Sequence, residues 1–229
     1  MKKIAIIPAR SGSKGLKNKN ILPICGKPML AYTIEAAIKS NLFDRVILST
    51  DSMEYKKIGE DFGAEVILRG EEVSNDTAST FMVIEDLFGK IDLSFDYFML
   101  LQPTSPLRNH KHVAEACELF ERSFDKFDFL VSMQKAHYPA VLVKPIEDDG
   151  SLKHFDTDFS NYKRQGFADY SPNGALYIGK PQKYLEHKHF YGERSVGYIM
   201  SSIDSADVDT AIDYDFVCML MKKRLNGEI

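Results

Sequence analysis

The sequence predicts an α/β protein built on a mostly parallel sheet, and three observations carry that prediction. Ile4-Ala5-Ile6-Ile7 is an unbroken apolar run ahead of a polar loop, the pattern of a strand buried on both faces. From Pro28 the period changes, and Leu30, Ile34, Ala37 and Ile38 fall on one helical face. Short apolar runs and helical segments then alternate to about Tyr138, as in repeated strand–helix–strand units.

Taken in order, Pro28 suits the first turn of the first helix. Val46-Ile47-Leu48 is a second strand ending at Ser49-Thr50-Asp51, Met53 to Phe62 reads as helix with Gly63 as its stop, and Glu65 to Leu68 is a third strand. Thr77 to Phe88 reads as helix, Tyr97 to Leu101 as strand, His110 to Phe120 as helix and Phe129 to Met133 as strand. Right-handed crossovers place the strand-end loops along one edge, where such folds bind ligands. Beyond Tyr138 the rhythm breaks. Val141 to Ile146 reads as a strand, Asp148-Asp149-Gly150 as a turn, and Ser151 to Ser171 as a polar, aromatic-rich excursion suited to a lid or an interface. Leu176 to Ile178, Val196 to Met200 and a last helix over Ala211 to Leu225 complete a single domain spanning 1–229.

Composition bounds the function. With 229 residues, 44% hydrophobic and 27% charged, the chain supports one full core. A net charge of −4 argues against non-specific nucleic-acid binding. The apolar start is too short for a secretory signal, and no run approaches the roughly 20 residues of a membrane helix. Cys25, Cys117 and Cys218 are odd in number and far apart, which favours free thiols in a cytoplasmic protein, with Cys117 and Cys218 in the core. His110-Lys111-His112 and His187-Lys188-His189 lack further Cys or His ligands nearby and read as surface histidines, not a zinc site.

The loop after the first strand, Pro8 to Asn20, carries Arg10, Lys14, Lys17 and Lys19 with Gly12, Gly15, Ser11 and Ser13. Glycines let backbone N–H groups turn towards an anion, and Arg10, Lys14 and Lys19 can surround phosphate oxygens. A solvated basic turn would have the same composition, but the place at a strand's C-terminal end favours a phosphate site. The spacing is neither that of a Walker A motif nor that of a dinucleotide-binding glycine fingerprint. Asp207 and Asp209, two apart before a helix, face one side of an extended segment; they suit either Mg²⁺ or a helix start, and Asp76 can likewise cap the helix after it.

The run Ala9-Arg10 through Ser13-Lys14-Gly15-Leu16, then Lys19-Asn20 and Gly26-Lys27-Pro28, resembles the N-acylneuraminate cytidylyltransferases, or CMP-sialic acid synthetases. Ser49-Thr50-Asp51, Arg69, Asn75 to Ser79, Gln102 to Arg108, Pro172 to Ala175 and Asp207 to Thr210 continue the resemblance in the same order over nearly the whole chain. The resemblance implies a nucleotide-diphospho-sugar transferase (Rossmann-like) sandwich with a mixed, mostly parallel sheet. It also implies a small dimerisation and sugar-lid insertion at about 138–175, and a homodimer. The implied reaction transfers CMP from CTP to the anomeric C2 hydroxyl of an acidic nine-carbon sugar, with Mg²⁺ and release of pyrophosphate.

By the same resemblance, Arg10, Lys14, Lys19 and Asp209 are catalytic, and Asp207 and Asp209 hold Mg²⁺. Ala9, Arg10, Asn20, Arg69, Ala78 and Thr80 bind the nucleotide. Gln102, Thr104, Ser105, Lys163, Arg164, Asn173, Tyr177, Phe190 and Tyr191 bind the sugar. Two departures, Ala140 and Ser171, each remove a cation that family members carry, which keeps legionaminate, pseudaminate and Kdo as alternative sugars. A non-catalytic nucleotide-binding module is the alternative of a different class.

Overall fold

The computed structural model describes residues 1–13, 15–160 and 168–229. A seven-stranded mixed sheet organises them, in the order β5-β4-β1-β6-β8-β7-β9. Its strands are β1 (Lys3–Ala9), β4 (Arg45–Thr50), β5 (Glu65–Leu68), β6 (Tyr97–Leu101), β7 (Phe129–Lys135), β8 (Tyr170–Gly179) and β9 (Ser195–Ile199). A small hairpin pairs β2 (Pro23–Ile24) with β3 (Lys27–Pro28). β1 runs parallel to β4 and β6, and β4 parallel to β5. β8 is antiparallel to both β6 and β7, so the sheet is mostly parallel with one reversed strand.

The apolar run of β1 divides by period two. Ala5, Ile7 and Ala9 join α1 (Met29–Ser40), α2 (Met53–Asp61) and α4 (His110–Arg122) on one face, while Ile4 and Ile6 join α3 (Thr80–Phe88) and α5 (Pro181–His187) on the other. A third cluster packs α6 (Ala211–Leu225) against Ile24 of the hairpin and Leu107. Thus α6 closes over the loops at the C-terminal ends of β1 and β6, the edge expected to bind ligands.

Several boundaries differ from the sequence-based expectation. Val141 to Ile146 is not a strand: Ala140–Leu142 is a 3-10 turn, Pro145 has no N–H to pair, and Val143 and Ile146 bury neither face. The helix expected from Thr77 begins at Thr80. Asn75 Oδ1 accepts from both the N–H and the hydroxyl of Thr77, a local turn that competes with helix, and Ser79, not Asp76, caps α3 through Met82 N–H. β8 is far longer than Leu176 to Ile178, and α5 had no counterpart in the pattern, although Pro181 at its start is a helix signal. His112 is not a surface histidine. Its Nδ1 accepts from Asn109 N–H in the capping box of α4, and its Nε2 lies 3.5 Å from Asp204.

Asp128, at the entrance to β7, joins three elements. It accepts from Lys180 Nζ at 2.9 Å, just ahead of α5, and from Arg194, just ahead of β9. Arg194, with Lys180, outweighs the cost of burial and holds the carboxyl down at about 2. A depressed carboxyl adds stability above its unfolded value, and that stability is lost as the pH falls through the folded value. Between pH 4 and 2 the protein is therefore expected to lose about 1–2 kcal/mol through this group, discounted for the solvent around Arg194. Asp128→Asn should be less stable at neutral pH and should lack that acid step; urea unfolding midpoints measured across pH check this, and parallel curves for the two proteins would refute it.

Candidate active site

The edge formed by the ends of β1, β4 and β6 opens into a cleft of about 460 Å³. It gathers Arg10, Lys19, Asn20, Arg69, Ala78, Thr80, Gln102, Thr104 and Asp209, all singled out in the sequence. Ala9, the last residue of β1, is fully buried and lines neither cleft. Lys14, Lys163 and Arg164 lie outside the described residues.

The loop after β1 is held from several sides. Asp51, at the end of β4, accepts from Ser11 N–H and Ser11 Oγ, each at 2.9 Å. Asn20 is buried and donates to the Arg10 carbonyl at 3.1 Å. Arg10 reaches the Asn75 carbonyl at 2.9 Å and the Asp76 carboxylate at 3.0 Å, tying the loop to the segment before α3. Sequence reasoning assigned Asp51 no role of its own; its place at a strand's C-terminal end, beside the basic loop, is the signal that marks it.

Arg69 lines the cleft, is 7% exposed, donates through Nε to Ser74 Oγ at 3.2 Å, and among the described residues its buried Nη1 has no partner. Burial lowers its pKa and the nearby Asp51 opposes the shift. A buried donor without a partner is costly, and a polar ligand group in the cleft would relieve that cost.

The acidic pair closes the other end. Thr210 caps α6 through Asp213 N–H, and Asp213 returns the bond to Thr210 N–H at 2.8 Å, so capping belongs to those residues and not to the carboxylates of Asp207 and Asp209. Asp209 is exposed, and its carboxylate pairs with Lys19 Nζ at 2.9 Å. Asp207 lies deeper and accepts from Ser105 Oγ at 3.2 Å. Burial, with the Asp209 charge adding, pushes its carboxyl up, against the hydroxyls of Thr104 and Ser105 and the Lys19 ammonium. Asp207 and Asp209 are the oxygen donors here that could hold a divalent cation.

Not every residue expected at the sugar faces open space. Ser105 is fully buried and serves Asp207. Asn173 is buried with its amide fully used: Oδ1 accepts from Ser132 Oγ and Ala175 N–H, while Nδ2 donates to Ser205 Oγ and Met200 Sδ. Its role is therefore to set the β7–β8 junction and not to contact a ligand. Tyr177, Phe190 and Tyr191 line a second cleft of about 430 Å³, which shares Thr80 and Gln102 with the first.

Strand-end loops, a basic loop and a nearby carboxylate pair make this edge the candidate ligand site. The chain belongs to the cytidylyltransferase family, whose model matches residues 4–225. It is 44% identical over 226 residues to an N-acylneuraminate cytidylyltransferase of Escherichia coli O18:K1:H7, covering 99% of this chain and 54% of that protein. It thus spans about half the length of that relative. A CMP-N,N'-diacetyllegionaminic acid synthase of Legionella pneumophila is 34% identical over 100% of this chain and 99% of its own length. The fold matches that of a solved CMP:2-keto-3-deoxy-manno-octonic acid synthetase complexed with CTP, with a TM-score of 0.73 at 17% identity, covering 98% of this chain and 100% of that one.

Gly15 gives the site a direct test. A Cβ there would lie 2.9 Å from the Asp209 carbonyl, a backbone atom that cannot swing aside. Gly15→Ala should remain folded but lose roughly tenfold in CTP affinity, because the loop and the acidic segment are forced apart. Calorimetric titration with CTP, alongside a thermal melt, measures both; unaltered affinity would show that the two segments need not touch.

Proposed function

We propose that the chain transfers CMP from CTP to the C2 hydroxyl of an acidic nine-carbon sugar, with an N-acylneuraminate as the first choice. The observation that carries the reading is the set Lys19, Asp207 and Asp209, which stands beside the cleft holding Arg10, Arg69 and Thr80. Family membership implies a divalent-cation-dependent nucleotidyl transfer. The E. coli and Legionella relatives, named for sialic and legionaminic acids, support the class of sugar.

In this reading the triphosphate lies along the loop after β1, where Arg10, Lys14 and Lys19 meet its oxygens. Ala9 and Asn20 shape the loop's backbone. Arg69, Ala78 and Thr80 surround the base, with Arg69 Nη1, unpartnered among the described residues, as a donor to it. Gln102, common to both clefts, and Thr104, in the first, orient the sugar from the loop after β6. Asp207 and Asp209 would hold Mg²⁺, which neutralises phosphate charge and lowers the pKa of a bound hydroxyl. Lys19 stabilises the charge that grows on the departing pyrophosphate.

Lys163 and Arg164 remain candidates for the sugar carboxylate. Tyr177, Phe190 and Tyr191 form its aromatic wall. The reading also includes a homodimer, supported by the exposed Tyr138, Val143, Ile146, Leu152 and Tyr170 in and beside the 138–175 excursion, and a cytoplasmic location. Among the described residues no helix is long and apolar enough to cross a membrane.

Ala140 and Ser171, where family members carry cations, line neither cleft, so the choice between sialic, legionaminic and pseudaminic acids and Kdo is left to substrate tests. Pyrophosphate release from CTP and Mg²⁺ with each sugar is the direct measurement. Release with an N-acylneuraminate is expected. CTP binding without release on any of them would instead establish the non-catalytic module. Asp209→Ala should lower kcat by about 100-fold with CTP binding changed only a few-fold, whereas Lys19→Ala should weaken both. Steady-state kinetics separate these outcomes, and Mg²⁺-dependent turnover at the native rate in Asp209→Ala would remove that residue from the metal site.

A further inference from the structure

The segment His187-Lys188-His189 has no place in the phosphate chemistry, yet Lys188 and His189 line the second cleft. Lys188 is the C-cap of α5 in the left-handed conformation, φ 63°, and its N–H donates to the Tyr184 carbonyl at 2.8 Å. That turn brings the side chain back over the cleft, where Nζ stands 5.3 Å from the centre of the Phe81 ring. Among the described residues Lys188 has no carboxylate partner. His189 stands beside it, its Nδ1 accepting from Tyr191 N–H at 3.2 Å.

The rest of the cleft is aromatic. Tyr177 and Phe190 stack at 4.9 Å, and Tyr184 lies 4.6 Å from Phe190. Thr80 and Gln102 are common to both clefts, and Tyr177 is close enough to Asp207 to feel its charge. A nine-carbon sugar whose C2 hydroxyl sits at the acidic pair therefore extends its substituted end into this aromatic space. Its apolar parts stack on Tyr177 and Phe190. The atoms furthest from the reaction then meet Lys188, an exposed cation whose ammonium lies over the Phe81 ring.

We propose that Lys188, with His189 beside it, sets substrate choice by favouring sugars whose acylamido group ends in an oxygen, such as a hydroxyacetyl group, over plain acetyl. The inference rests on the acidic-sugar reading of the site. A hydrogen bond from a cation to a terminal hydroxyl oxygen, absent with acetyl, discriminates by about tenfold when the cation is partly solvent-exposed.

The test measures pyrophosphate release with CTP, Mg²⁺ and either N-acetyl- or N-hydroxyacetylneuraminate, using the unmodified protein, Lys188→Met, Lys188→Arg and Lys183→Met. Lys183 is a control on the same helix, paired with Glu186 and outside the cleft. The unmodified protein should favour the hydroxyacetyl sugar about tenfold in kcat/KM. Lys188→Met should bring the ratio to about one, mainly through KM, while Lys188→Arg and Lys183→Met keep it. Release with both sugars at a ratio that Lys188→Met leaves unchanged overturns the inference alone. No release with either sugar overturns the acidic-sugar reading and the inference with it.

Discussion

The buried guanidinium of Arg108 is the constraint on which the ligand-binding edge depends. It is 1% exposed and has no carboxylate partner among the described residues. Burial pushes its pKa down to about 9, so it remains charged at neutral pH inside an apolar core. Burying a charge in this way costs several kcal/mol unless hydrogen bonds offset it. Here Nη2 donates to Thr33 Oγ1 at 2.8 Å and to the Gln102 carbonyl at 3.2 Å, and Nε reaches the Ala175 carbonyl at 3.4 Å. Those acceptors belong to α1, the exit of β6 and β8. One side chain thus fixes where the strand-end loop leaves the sheet, between a helix on one face and the reversed strand.

The segments docked on that exit inherit its position. Ser105 and Thr104 can serve Asp207 only because the loop is set. Val208 N–H donates to the Thr104 carbonyl at 2.9 Å, so the acidic segment docks on the same loop. The Leu107 carbonyl accepts from Arg224 at 2.7 Å, and Arg224 also binds Asp204, which draws α6 down over the site. Burial works against ionisation of Asp204, but His112, Ser201 and Arg224 outweigh it and hold the carboxyl far below its usual range. The Gln102-to-Arg108 block is therefore largely an internal strut. Gln102 and Thr104 face the cleft, while Ser105, Leu107 and Arg108 hold the strand exit in place.

This division explains what could and could not be read in the sequence. The fold was legible because β1, β4, β6 and the helices after them carry strong period-two and period-3.6 patterns, and tertiary packing agrees with them. The final helix was legible at about Ala211 to Leu225, although its cap is Thr210 with Asp213 and not the Asp207–Asp209 pair. The stretch from Val141 to Ile146 was not. An apolar run such as Val141 to Ile146 becomes a strand only if a partner pairs with it, and partners are non-local. At the site, chemistry-bearing residues in strand-end loops were found because position narrows the possibilities. Polar residues that serve the frame, such as Asn173 and Ser105, have the same composition as ligand contacts; only their burial and the full use of their hydrogen-bonding atoms separate them. Lys188 was hidden because a left-handed helix cap, which the local sequence does not announce, turns it back over the cleft.

Two cations of the site, Arg10 and Lys19, are held in ion pairs, and that pairing bears on how a substrate enters. Arg10 rests on Asp76 and Lys19 on Asp209, so neither cation is unpaired and Asp207 keeps two hydroxyls and a distant ammonium. A triphosphate alone would have to compete with Asp209 for Lys19. A divalent cation alone would have to compete with Lys19 for Asp209. In the proposed reading the two would exchange partners on arriving together: Lys19 would meet phosphate oxygens, and Asp207 and Asp209 would hold the metal. Each group that loses a contact gains one of the same kind, so little charge is left unpaired in a partly buried cleft. On that reading the paired charges would favour the metal–nucleotide complex over either component. The 2.9 Å contact that a Cβ at Gly15 would make with Asp209 is the geometric counterpart of that preference, since the two charge systems can exchange only if their backbones lie that close.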